Sequence, residues 1–153
     1  MIEKSKSQEV EAPVEAVWKL VSNLEEEQKY WQILRNVKIL SKKENSVERE
    51  ATIKRGPMGE AKSFQTLVID PSKKTTTLTM TKGPMLGTRK LVLSEIGKDR
   101  TKINVSWEFQ MKGVPGFALG FVEDNISEVT EKALEMIALQ AEKRKISAAA
   151  SSK

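Results

Sequence analysis

VEAPVEAVWKLVSNLEEEQKYW, running from Val10 to Trp31, changes its backbone habit twice within a few turns. Residues 2 to 11 alternate weakly and lead into Ala12-Pro13. Proline suits a first helical position because the N–H it lacks would be unpaired there anyway. The recurrence of Val14, Val17, Trp18 and Val21 at steps of three and four predicts a helix from Pro13 with one buried face. Ser22-Asn23 breaks it and caps a second short helix over about residues 24 to 31.

After Trp31 the period becomes two. Segments near 35–42, 46–55, 61–69, 75–82, 87–96 and 101–111 have strand length and are separated by turn sequences. In the last, Ile103, Val105, Trp107, Phe109 and Met111 alternate with Lys102, Asn104, Ser106, Glu108 and Gln110, which predicts one apolar and one wet face. Thr76, Leu78 and Met80 alternate with Thr75, Thr77, Thr79 and Thr81 in the same manner. The register of 61–69 stays open, since Phe64, Thr66 and Val68 compete with Leu67 and Ile69 for the core side.

From about Pro115 to Lys145 the helical period returns through Leu119, Val122, Ile126, Val129, Ala133, Met136 and Ile137. Glu123 and Asp124 lie toward its start and Lys143, Arg144 and Lys145 at its end, as the helix dipole favours. About 30 residues at 1.5 Å each reach ~45 Å, enough to cross a sheet of ten-residue strands. The expected architecture is α+β: a curved seven-stranded antiparallel sheet wrapped around one long C-terminal helix, with two short helices after the first strand. Residues 1–146 form one domain in this reading, and 147–153, SAAASSK, form a frayed tail.

Composition narrows the chemistry. The 153 residues contain neither His nor Cys, which removes disulfides, thiol nucleophiles, Cys-rich zinc sites and the commonest general base. No carboxylate cluster or nucleophile motif stands out, so no catalytic residue, metal ligand or cofactor is assigned. The net charge of +5 is spread among interleaved Lys, Arg and Glu, which reads as a solvated basic surface and gives no nucleic-acid partner. MIEKSKSQEVEA lacks the pattern of a secretory signal, and no apolar run reaches the ~18 to 20 residues of a membrane span, so the expected location is the cytoplasm.

Three turns share a Gly-Pro composition: Gly56-Pro57-Met58-Gly59, Gly83-Pro84-Met85-Leu86-Gly87, and Gly113-Val114-Pro115-Gly116 followed by Phe117, Leu119 and Phe121. In an antiparallel meander alternate connections share an end, so these three should converge. Lys42 to Asn45, Asp70 to Lys74 and Gly97 to Arg100 are charged and should form the opposite end. Apolar side chains on exposed loops point to a covered surface, a ligand or a partner.

With its strand, Ala-Pro, Val-Trp helix and short helix ending at an aromatic, Val10 to Trp31 resembles the opening of the START-like, helix-grip superfamily. Birch pollen allergen, polyketide cyclases and coenzyme Q-binding proteins are among its members. Element order extends the resemblance over nearly the whole chain. It implies a hydrophobic cavity between the sheet and the last helix, holding a lipid, isoprenoid or quinone-like molecule. The leading expectation is noncatalytic binding or transport of such a molecule by a monomer or weak dimer, with a transient membrane or protein contact left open. The alternatives are a polyketide cyclase or hydratase-like enzyme, which the absence of His puts in doubt, and a protein-interaction module like the related chaperone ATPase activators.

The candidate ligand-binding residues are Tyr30, Trp31, Arg49, Met58, Leu78, Met80, Met85, Trp107, Phe109, Met111, Phe117 and Phe121. Methionine adapts its shape to varied ligands, and Tyr30 and Trp31 border the cavity in the resemblance. Arg49 shares a strand face with Val47, Ala51 and Ile53, so it should point inward and require either a helix Glu at the rim or a ligand anion. Arg55 and Arg89 are weaker candidates of the same kind.

Overall fold

The computed structural model describes residues 1–54 and 59–151, with side chains described as far as Lys143. Its elements are β1 (Ile2–Val10), α1 (Val14–Val21), a 3-10 turn (Leu24–Glu26), α2 (Glu27–Tyr30), β2 (Leu34–Lys43), β3 (Ser46–Lys54), β4 (Glu60–Asp70), β5 (Thr75–Lys82), β6 (Met85–Gly97), β7 (Arg100–Met111), a 3-10 turn (Gly116–Ala118) and α3 (Leu119–Ser151). The seven strands form one sheet in the order β1-β7-β6-β5-β4-β3-β2, and every neighbouring pair is antiparallel. β2 to β7 are therefore a meander, and β1 adds to its far edge against β7. This is the helix-grip arrangement that the sequence pattern predicts, a meander and an added edge strand around one long C-terminal helix.

Pro13 caps α1 with extended backbone, and Val17, Trp18, Leu20 and Val21 form the buried face that the spacing predicts. Thr101 Oγ1 donates to the Ala12 carbonyl at 2.8 Å and ties the loop between β1 and α1 to the start of β7. The concave face of β7 carries Ile103, Val105, Trp107 and Phe109, all buried. Against it α3 turns Ile126, Val129, Ala133, Leu134 and Ile137. Among the sheet strands α3 lies most extensively along β1, and it also packs on α1 and α2. The helix continues to Ser151, past the Lys145 at which apolar periodicity ends, and the alanines at 148–150, the residue of highest helix propensity, favour that backbone.

The open register of 61–69 is settled by polar side chains. Ser63, Gln65 and Leu67 point inward and are buried, while Phe64 and Val68 lie on the outer face. Gln65 pairs in register with Arg49, whose guanidinium it accepts from at 2.8 Å, so the need of a buried cation outweighs the apolar preference of Phe64. At the charged end, the Ile69 N–H donates to the Asn45 carbonyl at 2.9 Å and the Leu93 N–H to that of Lys74 at 3.0 Å. At the other end, the Lys112 N–H donates to the Pro84 carbonyl at 2.8 Å.

Candidate binding site

The apolar end of the molecule is an opening between the start of α3 and the ends of β3, β6 and β7. Ile33, Ile53, Met85, Met111, Phe121 and Val122 line it, with Lys54 and Asn125 at its polar border. Residues next to all three Gly-Pro turns meet here: Lys54 precedes the first, Met85 belongs to the second, and Met111 and Phe121 flank the third. The void behind this mouth is about 20 Å³, and a second one beside α2, lined by Leu20, Glu27, Tyr30, Trp31, Leu91 and Ile137, is about 10 Å³. Each has room for a single water. A larger hollow of about 410 Å³ is an open groove on the solvent side of the sheet, bordered by charged residues that include Glu3, Lys4, Lys90 and Glu108, with Trp107 also in its wall.

Between mouth and helices lies an ion cluster. Glu27 on α2 is 5 % exposed and reaches down to Arg49 on β3 and Arg89 on β6, which are 1 % and 2 % exposed. Its Oε2 accepts from Arg89 Nη2 at 2.5 Å, and its Oε1 stands 3.1 Å from Arg49 Nη2 without the alignment of a hydrogen bond. The Arg89 guanidinium sits 4.2 Å from the centre of the Trp31 ring and 5.8 Å from that of Trp107, close enough for cation–π attraction. Burial holds Arg49 below the ordinary arginine pKa; Glu27 opposes that shift and Arg89 adds to it. Arg89 Nε and Arg49 Nη2 are buried without a hydrogen-bond acceptor among the described residues.

The structure thus divides the candidate residues. Met85, Met111 and Phe121 come together at the mouth. Trp31, Arg49 and Trp107 come together at or beside the ion cluster, with Tyr30 buried on α2 above it. Met80 and Phe109 are buried in the sheet on either side of Gly87, between these two places, and Leu78 is buried level with Arg89. Trp107 is fixed there: its Nε1 donates to Thr130 Oγ1 on α3 at 2.9 Å, and its ring packs edge-on against Trp31 and Phe109. Phe117 stands apart, 92 % exposed and lining neither void. Met58 and Arg55 lie outside the described residues. Arg49 has the helix Glu that its inward position calls for, but in the interior and not at a rim.

Glu27 and Gln65 are not among the residues that spacing and composition single out, and Arg89 is as deeply buried as Arg49. The available signal was the demand side: two inward arginines on one concave face require a carboxylate, and the first helical connection, with Glu25, Glu26 and Glu27, is the nearest supply. Among the described residues no group of three or more His, Cys, Asp or Glu could hold a metal ion, and no helix is long and apolar enough to cross a membrane.

Residues 1–142 match the sequence profile of the family described as polyketide cyclase / dehydrase and lipid transport. Among solved structures, the Zhui aromatase/cyclase from Streptomyces superposes with a TM-score of 0.81 at 12 % identity, over 94 % of both chains. A START superfamily protein from Mycobacterium smegmatis gives 0.73 at 19 %, over 90 % of this chain and 97 % of that one. XoxI from Bacillus cereus gives 0.71 at 14 %, over 92 % and 95 %. At these identities the likeness is one of fold. No curated protein matches the sequence.

Proposed function

The chain belongs to the polyketide cyclase / dehydrase and lipid transport family, and from that premise we propose that it binds and carries a hydrophobic small molecule, a lipid, isoprenoid or quinone-like compound, without transforming it. The observation that carries this reading is the apolar mouth, where Met85, Met111, Ile53 and Phe121 meet at the end of the sheet bordered by Gly-Pro turns. Phe121 is 55 % exposed at that place, an uncovered aromatic beside flexible methionine side chains. A ligand would part these side chains and extend between sheet and α3.

Acid–base chemistry has little to work with in the described interior. The buried ionisable side chains there are Glu27, Arg49, Arg89 and Tyr30. Both oxygens of Glu27 face guanidinium groups, so its carboxylate serves as their counter-ion and is not free to act on a substrate.

Native mass spectrometry of gently purified protein, together with titration of a fluorescent lipid probe, tests the reading. A copurifying apolar molecule, or saturable binding near one to one that Phe121→Asp weakens, is the expected result. No copurifying molecule and no saturable binding would reject it.

A further inference from the structure

The buried cluster is electrically unbalanced. Among the described residues two guanidiniums face one carboxylate, so a formal charge of +1 is held in a place where no member is more than 5 % exposed. Cation–π contact with Trp31 and the amide oxygen of Gln65 relieve part of the cost, yet Arg89 Nε and Arg49 Nη2 still lack acceptors. A buried donor without an acceptor is uncommon, and a buried net charge is more so. Both deficits are met by one further anion.

The cluster also lies on the same two strands as the mouth. Along β6 the inward positions run Met85, Gly87, Arg89, and along β3 they run Ile53, Ala51, Arg49. Four residues of strand span roughly 13 Å. The middle position of each run is a small residue. At Gly87 an added Cβ would meet the Glu108 carbonyl oxygen at 2.1 Å, so the backbone there is pressed against β7 with no room for a side chain.

We propose that the molecule carried by this protein has an acidic head, a carboxylate, which pairs with Arg89 and Arg49 while its apolar tail runs toward the mouth. The proposal rests on the carrier reading above and adds the head group to it. The planar fork of a guanidinium matches a carboxylate with two donors, and a charge-assisted bond of this kind discriminates strongly against a neutral head. With the ligand bound, the cluster holds two positive and two negative charges.

The test is titration of the folded protein at neutral pH with dodecanoic acid, dodecanol and methyl dodecanoate, read from calorimetry and from the fluorescence of Trp31 and Trp107. The acid is expected to bind about tenfold to a hundredfold tighter than the alcohol or the ester. In Arg89→Met, which leaves Arg49 and Glu27 as a neutral pair, the ratio of acid to alcohol affinity should fall toward one. Arg49→Met is the second variant should the first not fold. Equal affinities in the unaltered protein overturn the acidic head and leave the carrier reading standing. Binding of none of the three overturns the acidic head, and with it the carrier reading when no apolar molecule copurifies either; a preference for acid that persists in Arg89→Met overturns the assignment to this cluster.

Discussion

Removing the negative charge of Glu27 isolates what the ion cluster contributes to stability. Glu27→Gln preserves the shape of the side chain but leaves Arg49 and Arg89 facing an amide, so the formal charge of the cluster rises from +1 to +2 at 5 % exposure or less. Breaking a buried ion pair from one side typically costs about 3–5 kcal/mol, because the abandoned charge stays buried. For a chain of this length each kcal/mol moves the melting temperature by roughly 2–4 °C, giving an expected fall of about 6–20 °C. Arg89→Met acts in the opposite electrical direction, leaving one cation, one anion and an apolar side chain between Trp31 and Trp107. Its cost should be less than half that of Glu27→Gln, since apolar replacement of buried ions is often near neutral. Urea denaturation followed by tryptophan fluorescence, with unchanged slope, measures both. A loss below about 1 kcal/mol in Glu27→Gln, or a larger loss in Arg89→Met than in Glu27→Gln, would refute the picture of a dry, unbalanced cluster.

Trp107→Ala should cost about 3–5 kcal/mol, the range of a large core aromatic, because the residue is 3 % exposed and anchored to Thr130; thermal or urea unfolding checks this. Gly87→Ala combines a φ of +147° with the 2.1 Å approach to Glu108, so strain on the order of 1–3 kcal/mol plus the clash should appear as a marked loss of melting temperature. Ser72 and Lys73 hydrogen-bond Asp70 and hold its carboxyl below the usual range, while Lys42 does the same for Glu25. Around those pH values the unfolded chain binds more protons, so this stabilisation is complete above the ordinary carboxylate pKa and lost as pH falls through the lowered one. Asp70→Ala should therefore flatten the acid limb of the stability–pH curve measured in low salt. Phe117→Ser, at a ring 92 % exposed, should change stability by less than about 0.5 kcal/mol, and slower pick-up of a fluorescent lipid from vesicles is the functional expectation, read by stopped flow.

Most of the fold is legible wherever burial alternates with a fixed period. Ile103 to Phe109 on β7 and the stripe through Ile126, Ala133 and Ile137 on α3 each reveal their inward face, and the turn compositions sort the two ends of the sheet. The same logic places Arg49 inward from its neighbours Val47, Ala51 and Ile53. It fails on β4, where the inward positions include the polar Ser63 and Gln65 while Phe64 faces out, its ring 5.7 Å from Lys82 Nζ. It fails again at Glu27. Glu25, Glu26 and Glu27 are chemically equivalent in sequence, and a helix of one turn has no period from which to read which of them turns inward. Glu25 instead pairs with Lys42 and Glu26 with Lys29 at the surface. A polar site whose members satisfy one another is invisible to a reading that counts apolar residues; it appears only when each buried charge is asked for its partner.

The nearly filled interior and the proposed carrier role are two sides of one energetic constraint. Ligand pockets occupy ~300–1,000 Å³, and an unrelaxed empty cavity costs about 24 cal/mol per Å³, or roughly 7 kcal/mol at the small end. A domain stable by only ~5–15 kcal/mol cannot keep such a space open and dry. The side chains that close it here differ in how firmly they are held. Trp107 is bound to α3 through Thr130 and packed between aromatic rings, so the floor on β7 is fixed. Phe121 and Met111 are only partly buried at the mouth, and α2 is a single turn held from below by Glu27. A ligand that brings its own carboxylate to Arg89 supplies the cluster with the anion it lacks, while its tail displaces the side chains that are held least. Binding of the head and opening of the mouth are then parts of one event, in which the charge interaction offsets the work of parting the apolar contacts.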